Sequence, residues 1–259
     1  MTQGLDCFGP QYGVMYRNDT HADGSVDRVL FERMIKLDKS SVEYLYSSYT
    51  DLIGRYENGS RASLERIVAR LQRKKASGTV DHIVAYCRKI VCKCNTATDN
   101  MTYGGTEEEI IARGTYWCTD IARVACVLFQ IAGFPSRILI TANTKFAYCG
   151  HSVAEVYYVG HWRVADPTNG IVIPASAWEI HRDPATANRA FYQKYPKWVD
   201  FFPPGEQYES VAVSNYYADE TAKYSYETSG INAYSREILR HSAERWAGGI
   251  RWIHGEELL

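Results

Sequence analysis

The stretch Thr115-Tyr116-Trp117-Cys118-Thr119-Asp120-Ile121-Ala122 decides how the chain is read, taken with Gly150-His151 and with Trp162-Arg163-Val164-Ala165-Asp166-Pro167-Thr168 downstream. It places a cysteine, a histidine and an aspartate in that order, each where the local pattern predicts the end of an element. After Cys118 the apolar residues fall at Ile121, Ala122, Ala125, Cys126, Phe129 and Ala132, a helical stripe. Gly133 and Pro135 end it. Cys118 then lies in the first turn, where unpaired backbone N–H groups and the macrodipole favour an anion. A sulfur there is expected to be partly ionised at neutral pH. The same N–H groups are placed to hold the oxyanion of a tetrahedral intermediate.

Two strands and a hairpin follow. Ser136 to Thr141 reads as a short strand, and His151 to Val159 alternates, with His151, Val153, Glu155 and Tyr157 on one face. Gly160-His161 reads as a turn, and Trp162 to Asp166 as a further strand with Trp162, Val164 and Asp166 sharing a face. An imidazole between a thiol and a carboxylate is the logic of a catalytic triad, whatever the fold. A two-residue loop at Gly160-His161 would set Asp166 opposite Glu155, four residues from His151. At roughly 3.3 Å per residue that is beyond hydrogen-bonding reach. A wider loop or a bulge that slides Asp166 toward His151 is therefore expected.

The run Cys118 to Ala122, the turn Gly133-Phe134-Pro135-Ser136-Arg137, the run His151-Ser152-Val153-Ala154-Glu155-Val156 and the closing Trp162 with Asp166-Pro167-Thr168 resemble the core of the transglutaminase-like superfamily, microbial type, over residues 105 to 170. The resemblance implies a papain-like α+β unit, a nucleophile helix packed on an antiparallel sheet, with a Cys-His-Asp triad. It makes Cys118 the nucleophile, His151 the general base and acid, and Asp166 the orienting carboxylate. Tyr116, Trp117 and Trp162 are the expected substrate contacts. Microbial members usually carry glycine two before the cysteine, where this chain has Tyr116. Animal transglutaminases place tryptophan after the cysteine, whereas Trp117 precedes it here. The mouth of the site therefore does not carry over with the triad.

Each residue has a plainer reading on its own. Cys118 could be a buried filler, His151 a strand-end histidine bonded to backbone, and Asp166 the cap of an Asp-Pro turn. Their order and the flanking motifs favour the catalytic reading.

At 259 residues the chain can bury a sizeable core and is read as a single domain over 1–259. Its parts are a helical segment at 25–104, the core at 105–170 and an aromatic-rich C-terminal extension at 171–259. The 29 basic and 30 acidic residues are in balance, so no nucleic-acid partner is expected. Seven cysteines make an odd count with no disulfide framework. Cys92-Lys93-Cys94 has no second pair and is read as no zinc site, unlike the zinc module typical of the peptide N-glycanases of this fold. The run Asp19 to Leu30 departs from a calcium loop at His21 and Leu30. No metal and no cofactor are expected. The start after Met1 is polar, and no apolar run has membrane-spanning length, which predicts a reduced, cytoplasmic setting with no membrane partner.

Helical spacing marks Val26, Val29, Leu30 and Met34, then Val42, Leu45, Tyr46, Tyr49, Leu52, Ile53 and Tyr56. It continues through Leu64, Ile67, Val68 and Leu71, then Val80, Ile83, Val84, Cys87, Ile90 and Val91, with Gly54, Gly59 and Gly78 as breaks. Arg66, Arg70, Arg73, Lys74 and Lys75 read as a solvated helix face. Thr106 with Glu109 is a capping box opening a helix at Glu107 to Arg113. Past Gly170 come aromatics such as Trp178, Tyr192, Tyr195 and Trp198, a break at Pro203-Pro204-Gly205, and an expected closing helix from Ala233 to Trp246.

Cys-His-Asp chemistry attacks an amide, ester or thioester carbonyl and forms an acyl-enzyme. Water as acceptor gives a peptidase or amidase, the leading expectation, acting on a peptide-like or acyl substrate. An amine acceptor gives a transglutaminase or amide synthase, the alternative within the same chemistry. A non-catalytic binding module of the same fold is the alternative from another class.

Overall fold

A computed structural model of the chain describes residues 34–47, 56–91, 105–115, 117–143, 150–198 and 203–221, and the fold is given for these. In chain order they form strand β1 (Met34–Lys36), helices α1 (Val42–Ser47), α2 (Ala62–Leu71), α3 (Ala76–Val91), α4 (Glu107–Arg113) and α5 (Cys118–Ile131). Strands β2 (Ser136–Ala142), β3 (Gly150–Tyr158), β4 (His161–Asp166) and β5 (Ile171–Ile173) follow. Helices α6 (Ala177–Arg182) and α7 (Ala185–Lys194), a 3-10 turn (Pro204–Glu209), strand β6 (Ser210–Ser214) and helix α8 (Ala218–Thr221) complete the order.

The strands make one antiparallel sheet in the order β1-β6-β2-β3-β4-β5. Both its faces are covered, which is why β2 is buried along its whole length and shows no polar side. Ile138, Ile140, Ala154, Val156, Ala165 and Ala212 face a core built with α2, α3 and α5. Leu139, Val153, Val164, Val211 and Val213 face a second core with Leu45, Ile180, Ala187 and Phe191. Helix α5 is buried from Thr119 to Gln130, as expected of a helix enclosed by a sheet on one side and other helices on the other.

The helix spacing held for α2, α3, α4 and α5, and the Thr106–Glu109 capping box is formed on both arms. Three expectations are corrected. Met34 is not the end of a helix: it opens β1 opposite Ser214, and the rest of that expected helix lies outside the described residues. Tyr56 is not helical, and its hydroxyl donates to Glu65 and accepts from the Arg61 N–H. Gly78 does not break the chain but sits in the first turn of α3. Strand β6 was not anticipated. Its Ser-Val-Ala-Val-Ser run has short side chains on both faces because both are buried, and it lies between β1 and β2. The calcium-like run, the Cys92–Cys94 pair and the 233–246 helix lie outside the described residues. Among the described residues, no helix is long and apolar enough to cross a membrane.

The β3–β4 hairpin sets the spacing that matters most. Its ladder runs without interruption from Tyr158↔His161 to Ala154↔Ala165, so the two-residue loop is Val159-Gly160 and not Gly160-His161. Moving the loop back by one residue carries Asp166 two places along β3, so the register continues it to Val153, the same-face neighbour of His151. Neither a wider loop nor a bulge is present, and that expectation was wrong because the turn had been placed one residue late. Both loop residues have positive φ, +51° at Val159 and +74° at Gly160, as a type I′ turn requires. A β-branched residue in that region is strained, and Val159 is 77% exposed with little packing to offset it. Val159→Asn is therefore expected to raise stability by about 1 kcal/mol, checked by urea unfolding. A loss of stability would show that the valine side chain is needed where it is.

Candidate active site

The cysteine-bearing turn is anchored from below. Trp117, the extended residue before α5, offers no side-chain cap, and its own N–H donates to Thr115 Oγ1 at 3.0 Å. Thr115 donates in turn to Asp120 Oδ2 at 3.2 Å, and the same oxygen accepts from Arg113 at 3.0 Å. Arg123 lies 3.4 Å from Asp120 Oδ1 and donates to Glu107 at 3.0 Å, to the Gly105 carbonyl at 2.8 Å and to the Tyr216 hydroxyl at 2.6 Å. Arg61 closes the cluster on Glu107 at 2.9 Å and on Glu108. Arg123 and Glu107 are fully buried, so each charge is stable only because opposite charges meet it. The cluster ties α2, α4 and α8 to the first turns of α5, which fixes where the helix begins.

At that start the Cys118 thiol and the His151 imidazole are electrostatically coupled, each favouring the charged form of the other. His151 Nε2 lies 3.1 Å from Asp166 Oδ2. Asp166 is held in turn by Asn169, whose side-chain amide donates to Oδ2 at 2.7 Å and whose backbone N–H donates to Oδ1 at 3.0 Å. The Asn169 carbonyl accepts from the Tyr195 hydroxyl at 2.6 Å. Asp166 and His151 are both buried, at 8% and 6% exposure, so their contact is shielded from water.

The electrostatics follow from this chain of contacts. Burial disfavours a thiolate, but hydrogen bonds from His151 and Ser152 and the charge of the imidazolium outweigh it and lower the Cys118 pKa. Burial disfavours the imidazolium too, but the Asp166 carboxylate and the sulfur override it and raise the His151 pKa. Asp166 is likewise lowered, despite burial, by His151 and by its two bonds from Asn169. The three shifts agree in sign: the arrangement favours a thiolate–imidazolium pair backed by a carboxylate. By contrast, Cys126 and Cys87 are buried thiols whose pKa values burial pushes up, Cys126 to about 12.

The structure thus brings together Cys118, His151 and Asp166. It does not bring Trp162 to them. That ring lies four residues, roughly 13 Å, along β4 from Asp166 and is 4% exposed. It covers the Arg137 guanidinium at 4.2 Å, with Tyr46 at 4.6 Å on the same group, while Arg137 pairs with buried Glu155 at 2.7 Å. Trp117 is half-buried against the first core, and Tyr116 lies outside the described residues. Sequence reading missed Asn169, although Asp-Pro-Thr-Asn is a spacing at which an Asx turn folds back on the first residue. It also missed Ser152 and the Asp120 cluster, since long-range pairing of buried polar groups leaves no periodic signal.

Residues 64–167 match the family model described as the transglutaminase-like superfamily. That segment runs from within α2 to the end of β4 and holds all three residues above, and the architecture is the family's α+β arrangement of a helix on an antiparallel sheet. No curated protein matches the chain. A crystal structure from Cytophaga hutchinsonii, provisionally named a cysteine protease, is 19% identical with a TM-score of 0.32. The alignment covers 51% of this chain and 43% of that one, so this chain spans under half of that protein's length. At the level of the superfamily, the family-model match over residues 64–167 supports a cysteine-dependent enzyme.

Proposed function

With a transglutaminase-like core over residues 64–167 as premise, we propose that the chain is a cysteine-dependent acyl-transfer enzyme whose acyl acceptor is water, a peptidase or amidase. One observation carries this: a cysteine at a helix start, a histidine and an aspartate stand in line within the matched segment, with His151 hydrogen-bonded to Asp166 and electrostatically coupled to Cys118. The Cys118 thiolate attacks the carbonyl of a peptide-like or acyl substrate, and the C–S bond forms as the carbonyl π pair moves to oxygen. The N–H groups of the first turn of α5 face that oxyanion. Collapse expels the amine, which takes its proton from His151, and leaves a thioester on Cys118. His151 then removes a proton from water, water attacks the thioester, and the acid leaves with Cys118 restored. Asp166, fixed by Asn169, keeps the imidazole oriented and offsets its charge. A line of this kind has no use in a binding module, which speaks against the non-catalytic reading. Such a thiol works only when reduced, so a reducing compartment such as the cytoplasm is proposed with it.

The acceptor is tested by weighing products. The protein is given an activated acyl ester with and without a primary amine at millimolar concentration. The free acid is expected to dominate in both, and mass spectrometry of the quenched reaction should find the acyl group on the peptide carrying Cys118. Amine adduct in excess of acid would make the enzyme an amide-forming transferase, and no adduct on Cys118 would remove the acyl-enzyme.

A further inference from the structure

The turn between β4 and β5 begins at the carboxylate, and its ends are fixed where Asp166 pairs with Ile171. At its apex both peptide groups of Asn169 are held. The peptide entering Asn169 donates its N–H to Asp166 Oδ1 at 3.0 Å, while its oxygen, the Thr168 carbonyl, accepts from Arg88 of α3 at 2.8 Å. The peptide leaving Asn169 turns its oxygen to the Tyr195 hydroxyl at 2.6 Å. Gly170 follows at φ +68°, with the Arg88 stem 3.2 Å from where a Cβ would stand. Tyr195 comes directly after α7, and its ring packs on the second core, 5.3 Å from Phe191 between centroids.

We propose that Tyr195 is a positioning residue: by gripping the Asn169 carbonyl it aims the Asn169 amide and N–H at Asp166 and so keeps the carboxylate on His151. The inference rests on the triad reading and deepens it. Asp166 Oδ2 takes the Asn169 amide at 2.7 Å and His151 at 3.1 Å, so the carboxylate has little freedom while Asn169 itself cannot turn. Arg88 fixes the incoming peptide plane, and Tyr195 fixes the outgoing one. Without the Tyr195 hydroxyl the outgoing plane is free to rotate about ψ of Asn169, and the side-chain amide loses its aim. Asn169 and Tyr195 lie beyond the matched segment 64–167, so neither role follows from the resemblance. Around the His151–Asp166 pair stand Cys118 on α5, coupled to His151, and Arg88 at the Thr168 carbonyl. Tyr208 in the 3-10 turn completes the set, its pKa pushed up by burial and then by the Asp166 charge. Removing the Tyr195 hydroxyl changes the charge of none of them.

The test follows the His151 ring by NMR in the full chain labelled at histidine, with its signal identified by its loss in His151→Gln. The Cys118→Ala background is used, so that His151 titrates against Asp166 without the sulfur. Tyr195→Phe removes the hydroxyl and keeps the ring on the core. A looser carboxylate supports the imidazolium less, so the His151 midpoint is expected to fall by about half a unit. Tyr46→Phe removes a comparable hydrogen bond, to Glu155 at 2.9 Å beside the second core, and should leave the midpoint unmoved. With Asp166→Asn added to the background, Tyr195→Phe should produce no further shift. With Cys118 restored and an activated acyl ester as substrate, Tyr195→Phe is expected to lower kcat about tenfold and leave KM unchanged. An unmoved midpoint in Tyr195→Phe, an equal shift in Tyr46→Phe, or a further shift once the carboxylate is gone would overturn the positioning role. A shifted midpoint in a chain whose wild type transfers no acyl group would instead overturn the enzyme reading beneath it.

Discussion

Cys118→Ala is expected to reduce turnover by a factor of about 10⁴ or more while the chain still folds. The substitution removes the one atom that bonds to the acyl group, so no partial mechanism is left to His151 and Asp166. What persists is the background that a polar pocket and substrate binding give over water. The structural cost is small because Cys118 is only partly buried and is not among the residues of either apolar core. A change in stability of about 1 kcal/mol or less is expected, readable as a shift of a few degrees in thermal unfolding. The contrast is with Cys126, buried in the centre of α5 and bonded to Ser136, where truncation would be felt as packing and not as chemistry. Activity retained above a tenth of wild type in Cys118→Ala would refute the assignment.

Asp166→Asn is expected to lower kcat/KM by about 10³–10⁴ for a different reason. Oδ2 accepts from both His151 Nε2 and the Asn169 amide, and Oδ1 accepts from the Asn169 N–H. An amide has one acceptor where three donors converge. Either its NH₂ faces His151 and the Asn169 side chain, leaving two donor–donor clashes, or it faces the Asn169 backbone, leaving one. In the first arrangement the imidazole turns or takes the wrong tautomer; in the second it keeps its place but loses the opposing charge. Both outcomes lower the His151 pKa, since Asp166 is what raises it against burial. The alkaline limb of the pH profile follows loss of the imidazolium proton, so it should move to lower pH. The acid limb follows formation of the thiolate, and a weaker imidazolium should move it to higher pH. The profile is thus expected to narrow from both sides as its height falls. A fall in height with both limbs unmoved would mean that Asp166 acts only through the fold.

The parts of this picture that the sequence revealed are those governed by short-range rules. The stripe from Ile121 to Ala132 and the stop at Gly133 placed the start of α5 at Cys118, and Thr106 with Glu109 placed α4. Strand parity put His151 and Asp166 on one face, but the register depended on whether Val159 or Gly160 opened the turn. A valine at positive φ is not what turn chemistry suggests, so the loop was set one residue late. Strand β6 was missed because Val211, Ala212 and Val213 are buried on both faces and lack the alternation that marks a half-exposed strand. Met34 was assigned to a helix because three residues are too few for a period of two to register. Trp162 drew attention as an aromatic near the motif, yet its ring stacks on Arg137, a partner 25 positions earlier that no local pattern indicates. Asn169, Ser152 and the Arg123–Glu107 cluster share that character: their value lies in what they meet in space.

The pH dependence of Cys118 alkylation in the wild-type chain tests the central claim most directly. Iodoacetamide labelling of that one peptide at pH 6, compared with the same peptide in the urea-unfolded chain, reports whether the folded environment holds the sulfur as a thiolate. The thiolate–imidazolium pair predicts that folded Cys118 reacts at least about tenfold faster than its unfolded counterpart, while Cys126 hardly reacts. Equal or slower labelling of Cys118 in the folded chain would contradict it.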